Sequence, residues 1–139
     1  MVVDASVAIK WFVLEAQHDE ARDLLFRQAI LRAPDLLMIE MANLAWKKAI
    51  RKEISHAQAA RIVTSIRKMG FRIEPWNSLS DRALEIALAL AHPAYDCFYL
   101  ACAEKYDLPL VTADQRLLNA VISSPHQGRV RRLGSPALH

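Results

Sequence analysis

Glycine and cysteine are scarce in this sequence, and their scarcity excludes several classes of protein. Three glycines and six prolines among 139 residues argue against a fibrous or low-complexity chain. The two cysteines, Cys97 and Cys102, are five residues apart, a spacing that suits neither a zinc knuckle nor a redox pair. We expect both to be small, buried core residues.

Long apolar runs and a targeting signal are also missing. The apolar stretch over residues 83–91 is broken by Glu85 and is far shorter than the roughly 20 residues that cross a bilayer. The opening residues, Met1 to Asp4, lack the basic start and the apolar run of a secretory signal. We therefore expect a cytoplasmic protein without a membrane span.

The composition is otherwise that of an ordinary globular protein. Hydrophobic residues make up 53% of the chain and charged residues 24%. A chain of 139 residues can bury one sizeable core and has little left over for a second. The sequence therefore predicts a single domain, residues 1–139, that folds unaided.

Basic residues are concentrated in one part of the chain. The net charge is +3, but residues 47–72 contain eight Lys or Arg residues and a single acid, Glu53, which is a local balance of +7. Such a stretch is the electrostatic footprint of a protein that binds a phosphate backbone. The alternative is that these charges form only the solvated face of helices.

Short apolar runs that end in polar or acidic residues predict buried strands. Three runs have this form: residues 1–3, 71–76 and 108–112. Residues 31–36 predict another short strand, and residues 129–133 predict a final edge strand. In chain order the five segments are residues 1–3, 31–36, 71–76, 108–112 and 129–133.

Between these runs, apolar residues recur with the helical period. Ser55 is a start signal for one helix, and residues 78–81, Ser-Leu-Ser-Asp, resemble a capping box that would begin another, which His92-Pro93 would end. The periodic segments are residues 21–29, 39–50, 59–66 and 84–91.

Strands that alternate with helices predict an α/β fold, with a central parallel sheet of about four to five strands and helices on both faces. In such sheets, ligands bind beyond the carboxyl ends of the strands, where the strand order reverses. Asp4 and Asp114 come just after two of the predicted strands. The sequence therefore places both acids where a ligand would bind.

Four acids occur in apolar settings: Asp4, Glu40, Asp96 and Asp114. Burying a carboxylate is costly unless it is paired with a cation or hydrogen-bonded, and Arg116 is the one basic residue in their local contexts. A shared metal ion would satisfy all four acids. Hard oxygen ligands suit Mg²⁺ or Mn²⁺, which keep several waters and need only a few carboxylates.

Each acid also has a structural alternative. Asp4 and Asp114 could cap the helices that follow them, because a cap needs only a short side chain that accepts a hydrogen bond. Asp96 could be an acid in the first turn of a helix, where the dipole favours it. Glu40, flanked by Ile39 and Met41, could lie on a partly exposed helical face.

The settings of the four acids resemble, in the right order, the signature motifs of PIN domains. The length of the chain is similar to that of the compact toxin branch, the VapC-like ribonucleases of toxin–antitoxin pairs. The resemblance spans residues 2–118. Its motifs are Val3-Asp4-Ala5-Ser6, Ile39-Glu40-Met41-Ala42-Asn43, Tyr95-Asp96-Cys97-Phe98-Tyr99-Leu100-Ala101 and Thr112-Ala113-Asp114.

This resemblance implies a metal-dependent endoribonuclease. It places the four acids at the catalytic and metal-binding positions, with Ser6 and Thr112 as supporting hydroxyls. One or two Mg²⁺ or Mn²⁺ ions would activate water against an RNA phosphodiester, leaving 5′-phosphate and 3′-hydroxyl ends. It also implies a homodimer and a cognate antitoxin. We further expect basic residues to guide the RNA by its backbone. The first candidates are Lys47, Lys48, Arg51 and Lys52, and Arg67 and Lys68 are two more.

Other functions remain to be weighed against this one. A PIN-like module could bind RNA or a partner protein without cutting, although the intact acids argue against it. A haloacid-dehalogenase-like phosphatase expects a second acid two residues after the first, where this chain has Ser6. A receiver domain expects an early acidic pair and a late lysine at a strand end, and neither is present.

Overall fold

Five parallel strands form one sheet in the computed structural model, which describes residues 1–27 and 30–136. The order across the sheet is β3-β2-β1-β4-β5, and every neighbouring pair is parallel. All five strands lie within the predicted segments, and the last is an edge strand as expected. The strands are β1 (Val2–Val3), β2 (Arg32–Pro34), β3 (Arg72–Glu74), β4 (Leu110–Thr112) and β5 (Val130–Arg132).

Seven α-helices occur within the described residues, together with 3₁₀ turns at Ile9–Trp11 and Trp76–Ser78. The four predicted helical segments correspond to α2, α3, α4 and α5, although residue 29, the predicted end of the first, lies outside the described residues. The helices are α1 (Ala5–Ala8), α2 (His18–Arg27), α3 (Leu36–Ile50), α4 (His56–Arg67), α5 (Ser80–Leu90), α6 (Ala94–Lys105) and α7 (Gln115–Ala120).

Helices cover both faces of the sheet. Successive side chains of a strand point to opposite faces, and Val2, Val3, Leu110 and Val111 of the two central strands are all fully buried. Helix α6 packs against β1, β2 and β4, while α1 packs against β4 and α3 against β2. The predicted α/β fold with a covered parallel sheet is therefore confirmed.

The two predicted helix starts had different outcomes. Ser55 begins α4 with a complete capping box, in which its hydroxyl accepts from Gln58 N at 3.0 Å and Gln58 accepts from Ser55 N at 2.7 Å. The predicted capping box at Ser78 is wrong. Ser78 ends a 3₁₀ turn, and its hydroxyl donates to Glu74 Oε1 at 2.6 Å instead of capping α5, which begins at Ser80.

The strand order reverses between β1 and β4. The chain moves from β1 outward through β2 to β3, then returns to the other side of β1 for β4 and β5. Val3 is paired with Val111 in this central ladder, so the carboxyl ends of β1 and β4 lie side by side. Crossovers that diverge from such a point leave a crevice at the strand ends, and Asp4 and Asp114 are at its base.

Cys97 and Cys102 are free thiols, and both are fully buried in α6. This agrees with the prediction that they are core residues.

Within the described residues, no single helix is long and apolar enough to cross a membrane. Helices α5 and α6 reach the necessary length only when they are taken together, and the chain bends by 117° between them.

Candidate active site

The Asp4 carboxylate is held by three groups at the carboxyl end of β1. Its Oδ1 accepts from Ser6 Oγ at 2.5 Å and from Val7 N at 3.3 Å, while its Oδ2 accepts from Thr112 Oγ1. The bond from Val7 N makes Asp4 the N-cap of α1. Asp4 therefore does cap the helix that follows it, which was the alternative role considered from the sequence. Only 4% of the residue is exposed, and the carboxylate is therefore held in one position.

Ser6 and Thr112 join the two central strands around this carboxylate. Ser6 Oγ accepts from Ala113 N at 2.9 Å, and Thr112 Oγ1 accepts from Asp114 N at 3.0 Å. Each hydroxyl thus donates to Asp4 and accepts from the backbone beyond β4. The structure places both predicted supporting residues in direct contact with Asp4.

Asp114 caps the helix that follows it. Its Oδ1 accepts from Arg116 N at 2.9 Å, which makes it the N-cap of α7. The residue is half-buried, and no hydrogen bond to its second oxygen, Oδ2, is found among the described residues. One oxygen therefore stabilises the helix, and the residue also lines the cavity at the strand ends.

Glu40 is the fifth residue of α3 and is half-buried. Its Oε1 and the Tyr99 hydroxyl are both buried without a hydrogen-bond partner among the described residues. The pKa of Glu40 is raised to about 7, chiefly by burial. The negative charges of Asp4, Asp96 and Asp114 contribute to this rise, and the nearby Tyr99 hydroxyl opposes it. An orphaned carboxylate oxygen of this kind is costly unless something pairs with it.

Asp96 is the third residue of α6, with 23% of its side chain exposed. Its Oδ2 lies 2.6 Å from Nε2 of His92, whose side chain is 10% exposed. Sequence reasoning used His92 only as the end of a helix. The signal that could have revealed this contact is the spacing of four residues between a histidine and an acid.

One cavity of about 640 Å³ brings the four acids together. The pKa of Asp4 is raised to about 6, chiefly by burial and also by the charge of Asp96, against the opposing hydrogen bonds from Ser6 and Thr112. Like charges that share a site disfavour each other's ionised form. The cavity is therefore a strongly acidic site that favours a cation. Its lining includes Asp4, Glu40, Asp96, Asp114, Asn43, Lys47, His92 and Arg116.

The donor chemistry of the cavity fits a hard divalent cation. Among the described residues, no three His, Cys, Asp or Glu side chains form a group that could hold an ion. Mg²⁺ keeps several waters and is commonly bound through only one or two carboxylates, so it does not need such a cage. The orphaned Glu40 Oε1 and the raised pKa values of Asp4 and Glu40 are the features that fit the ion.

The predicted RNA-binding residues separate into three groups. Lys47 lines the cavity. Lys48 is 16% exposed and pairs with Glu15 at 2.6 Å and Glu53 at 3.4 Å, so it ties α3 to two other segments. The remaining candidates are exposed and do not line the cavity: Arg51 and Lys52 beyond the end of α3, and Arg67 and Lys68 at the end of α4. RNA contact by these residues stays a prediction.

The chain belongs to the PIN-domain family, since the PIN domain model matches residues 1–122. One relative is Ribonuclease VapC3 of Pyrobaculum aerophilum. It is 28% identical to this chain, and the alignment covers 84% of this chain and 91% of the length of that ribonuclease. A VapC ribonuclease of Mycobacterium bovis is 34% identical, and the alignment covers 84% of this chain and 87% of the length of that ribonuclease.

Solved structures share the fold. PAE2754 from Pyrobaculum aerophilum has a TM-score of 0.69 at 25% identity, covering 95% of this chain and 82% of the other. A toxin–antitoxin complex from Klebsiella pneumoniae includes a chain with a TM-score of 0.68 at 18% identity, with 94% of both chains covered. At that identity the second comparison shows the fold alone.

Proposed function

We propose that this protein is an endoribonuclease that cuts RNA with water as the nucleophile and requires Mg²⁺ or Mn²⁺. The observation that carries the proposal is the convergence of Asp4, Glu40, Asp96 and Asp114 on one cavity at the reversal of strand order. Membership of the PIN-domain family and relatives named as ribonucleases support it.

The residues of the cavity prepare it for this chemistry. Hydrogen bonds from Ser6, Val7 and Thr112 hold Asp4 in one orientation. The cap bond from the Arg116 backbone likewise orients Asp114. Asp96 and Glu40 complete the acidic wall. Asp4, Glu40, Asp96 and Asp114 would hold the cation together, one or two of them directly and the others through its bound waters. A bound divalent ion activates water and offsets charge on the phosphodiester.

Among the described residues, neither cysteine lines this cavity, so neither can serve as its nucleophile. Both cysteines are buried, and burial raises the pKa of each thiol to about 11. Attack by water leaves the 2′-hydroxyl of the RNA out of the reaction. The products should therefore carry 5′-phosphate and 3′-hydroxyl ends.

The test is to incubate the purified protein with total cellular RNA and to map the ends of any fragments. Cutting should occur with Mg²⁺ or Mn²⁺, stop in EDTA, and be abolished in the Asp96→Asn variant. Cutting that persists in EDTA, or products with 2′,3′-cyclic phosphates, would rule out the proposed mechanism. Binding of RNA without cutting would instead support the non-cleaving module.

We also propose that the enzyme is the toxin of a toxin–antitoxin pair and works in the cytoplasm. Relatives named as VapC ribonucleases, the toxin branch that the sequence resembles, support this assignment. The exposed apolar residues Ile39, Trp46 and Ile50 of α3 offer a surface beside the cavity to an antitoxin. Co-expression with the protein encoded beside it should yield a stable complex with suppressed nuclease activity.

A homodimer is the assembly that we propose for the free enzyme. Leu84 and Leu88 lie one turn apart on α5 and are 55% and 75% exposed, which favours an apolar contact between copies. Light scattering should give twice the chain mass. Replacing both leucines with glutamate should give the mass of one chain while leaving the helical circular dichroism unchanged.

A further inference from the structure

We propose that Lys47 and Arg116 bind RNA phosphates on either side of the one that is cut, so that the strand crosses the acidic cavity between two cations. This inference rests on the proposed function, because it names how the same site holds its substrate. It assigns a role to the side chain of Arg116, for which no hydrogen bond or ion pair is found within residues 1–27 and 30–136; its backbone N–H donates to the cap residue Asp114.

The positions of the two cations follow from the elements that carry them. Lys47 is seven residues after Glu40 on α3, which is about two turns and about 10 Å along the helix axis on the same face. Arg116 is in the first turn of α7, two residues after Asp114. Both side chains line the cavity that holds the four acids, and they approach it from different helices.

Both cations are available to a ligand. Lys47 and Arg116 are exposed, and neither forms an ion pair with any residue in the described part of the chain. Lys48, by contrast, is held by two carboxylates. The structure therefore distinguishes a lysine used for packing from one left free at the cavity.

Folding does not explain the place of Arg116. A cation in the first turn of a helix opposes the helix dipole, whereas a cation in the last turn is favoured. Lys47, in the last turn of α3, has that structural reason to be basic, but Arg116 has none. A residue that is unfavourable for its own helix and lines a functional cavity is better explained by what it binds.

The substrate requires such cations. A phosphodiester is an anion, and it must approach a cavity lined by four acids. A metal ion would offset the charge at the phosphate that is cut, but the neighbouring phosphates would still face repulsion. Basic side chains at the rim contact these phosphates without reading the bases.

Binding of a fluorescein-labelled oligouridine, measured by anisotropy in EDTA over a series of salt concentrations, tests the inference without cleavage. Each phosphate contact contributes about 0.7 to the slope of log affinity against log salt for a single strand. Lys47→Ala and Arg116→Ala should each reduce the slope by about 0.7, and the double variant by about 1.4. Arg116→Lys should restore the slope, because it restores the charge.

The matched control is the double variant Arg67→Ala with Lys68→Ala, which removes the same charge from exposed residues at the end of α4. Its slope should equal that of the parent. Arg116→Ala should melt at the same temperature as the parent or higher, which excludes loss of fold as the cause of weaker binding.

Equal slopes for the parent, the Lys47 and Arg116 variants and the control would overturn the inference, as would an equal decrease in the control. Either result would leave cleavage of RNA by the parent unaffected. Conversely, a parent that binds with the expected slopes but never cuts RNA would contradict the proposed function while supporting the two phosphate contacts.

Discussion

At the scale of single residues, Asp4 and Asp114 have two roles that the sequence presented as alternatives. Each caps the helix that follows it, and each lines the acidic cavity. These roles are compatible because a carboxylate has two oxygens, and a cap bond to one of them fixes the direction of the other. Capping therefore contributes to the rigidity that a metal or substrate site needs.

Glu40 should make the stability of the metal-free protein depend on pH. Its folded-state pKa is raised from 4.5 to about 7, first by burial, so the folded protein binds this proton more tightly than the unfolded chain does. The contribution of Glu40 to stability is present below about pH 4.5 and is lost as pH rises through about 7. Glu40→Gln should therefore be at least as stable as the parent near pH 8 in EDTA, with a smaller difference near pH 5.

Thermal melts of the two proteins across this pH range provide the measurement. Glu85→Gln, at a site on α5 where the side chain is 67% exposed, is the control and should show no comparable change with pH. A Glu40→Gln protein that is less stable than the parent near pH 8 would contradict the prediction.

Glu74 should have the opposite dependence on pH. Burial raises the pKa of this 8% exposed residue, but bonds from Lys105, Ser78 and Tyr106 outweigh burial and lower the pKa to about 2. Its stabilising contribution is present above about pH 4.5 and is lost as pH falls toward 2. Glu74→Gln should cost about 1–3 kcal/mol at neutral pH.

Urea unfolding at neutral pH and again near pH 3 would measure this cost. The difference between Glu74→Gln and the parent should shrink at the lower pH. Near pH 3 this carboxylate is mostly protonated in the unfolded chain, where its pKa is 4.5, but it stays ionised in the folded protein. An equal cost at both pH values would mean that the cost comes from the hydrogen bonds that the amide cannot accept and not from the charge of Glu74.

At the scale of elements, helix starts show how far local sequence decides local structure. Ser55 and Gln58 satisfy each other's backbone groups within four residues, so the sequence alone predicted the start of α4. Ser78 has similar neighbours, but Glu74 at the end of β3 takes its hydroxyl. A contact formed by tertiary packing replaced the local one.

This contrast predicts different effects for two serines. Ser55→Ala should lower the free energy of unfolding by about 1 kcal/mol, since it removes the N-cap bond of α4. Ser80→Ala, in the first turn of α5 where no side-chain cap bond forms, should change stability by less than about 0.5 kcal/mol. Chemical denaturation of both variants and the parent would compare them; equal losses would contradict the assignment of the cap to Ser55.

At the scale of the whole molecule, the order of strands creates the site. Asp4 and Thr112 are far apart in the chain, and Thr112 bonds to Asp4 only because β1 and β4 are neighbours in the sheet. Glu40 and Asp96 then reach the same crevice from α3 and α6. Folding thus brings like charges together, at a cost in stability that a bound cation would offset.

Mg²⁺ should therefore stabilise the parent protein. An ion that binds only the folded state adds RT ln(1 + [L]/Kd), about 2.7 kcal/mol at a hundredfold excess over Kd. Asp96→Asn should lose most of this gain, yet should be as stable as the parent in EDTA because one of the crowded charges is gone. Calorimetric melts of both proteins with EDTA and with Mg²⁺ test this; the same loss of stability in both conditions would make Asp96 a purely structural acid.

The sequence by itself determined the α/β class, the five strand segments and the start of α4, and it named four acids as candidate site residues. These features follow from periodicity, caps and apolar settings, which are local properties. Only the tertiary structure decided which residues meet. In the folded protein Lys48 pairs with Glu15, the Ser78 hydroxyl donates to Glu74, and His92 lies beside Asp96. It also left Lys47 and Arg116 at the cavity. These outcomes depend on how helices pack across the sheet, and that packing is set by contacts between residues distant in the chain.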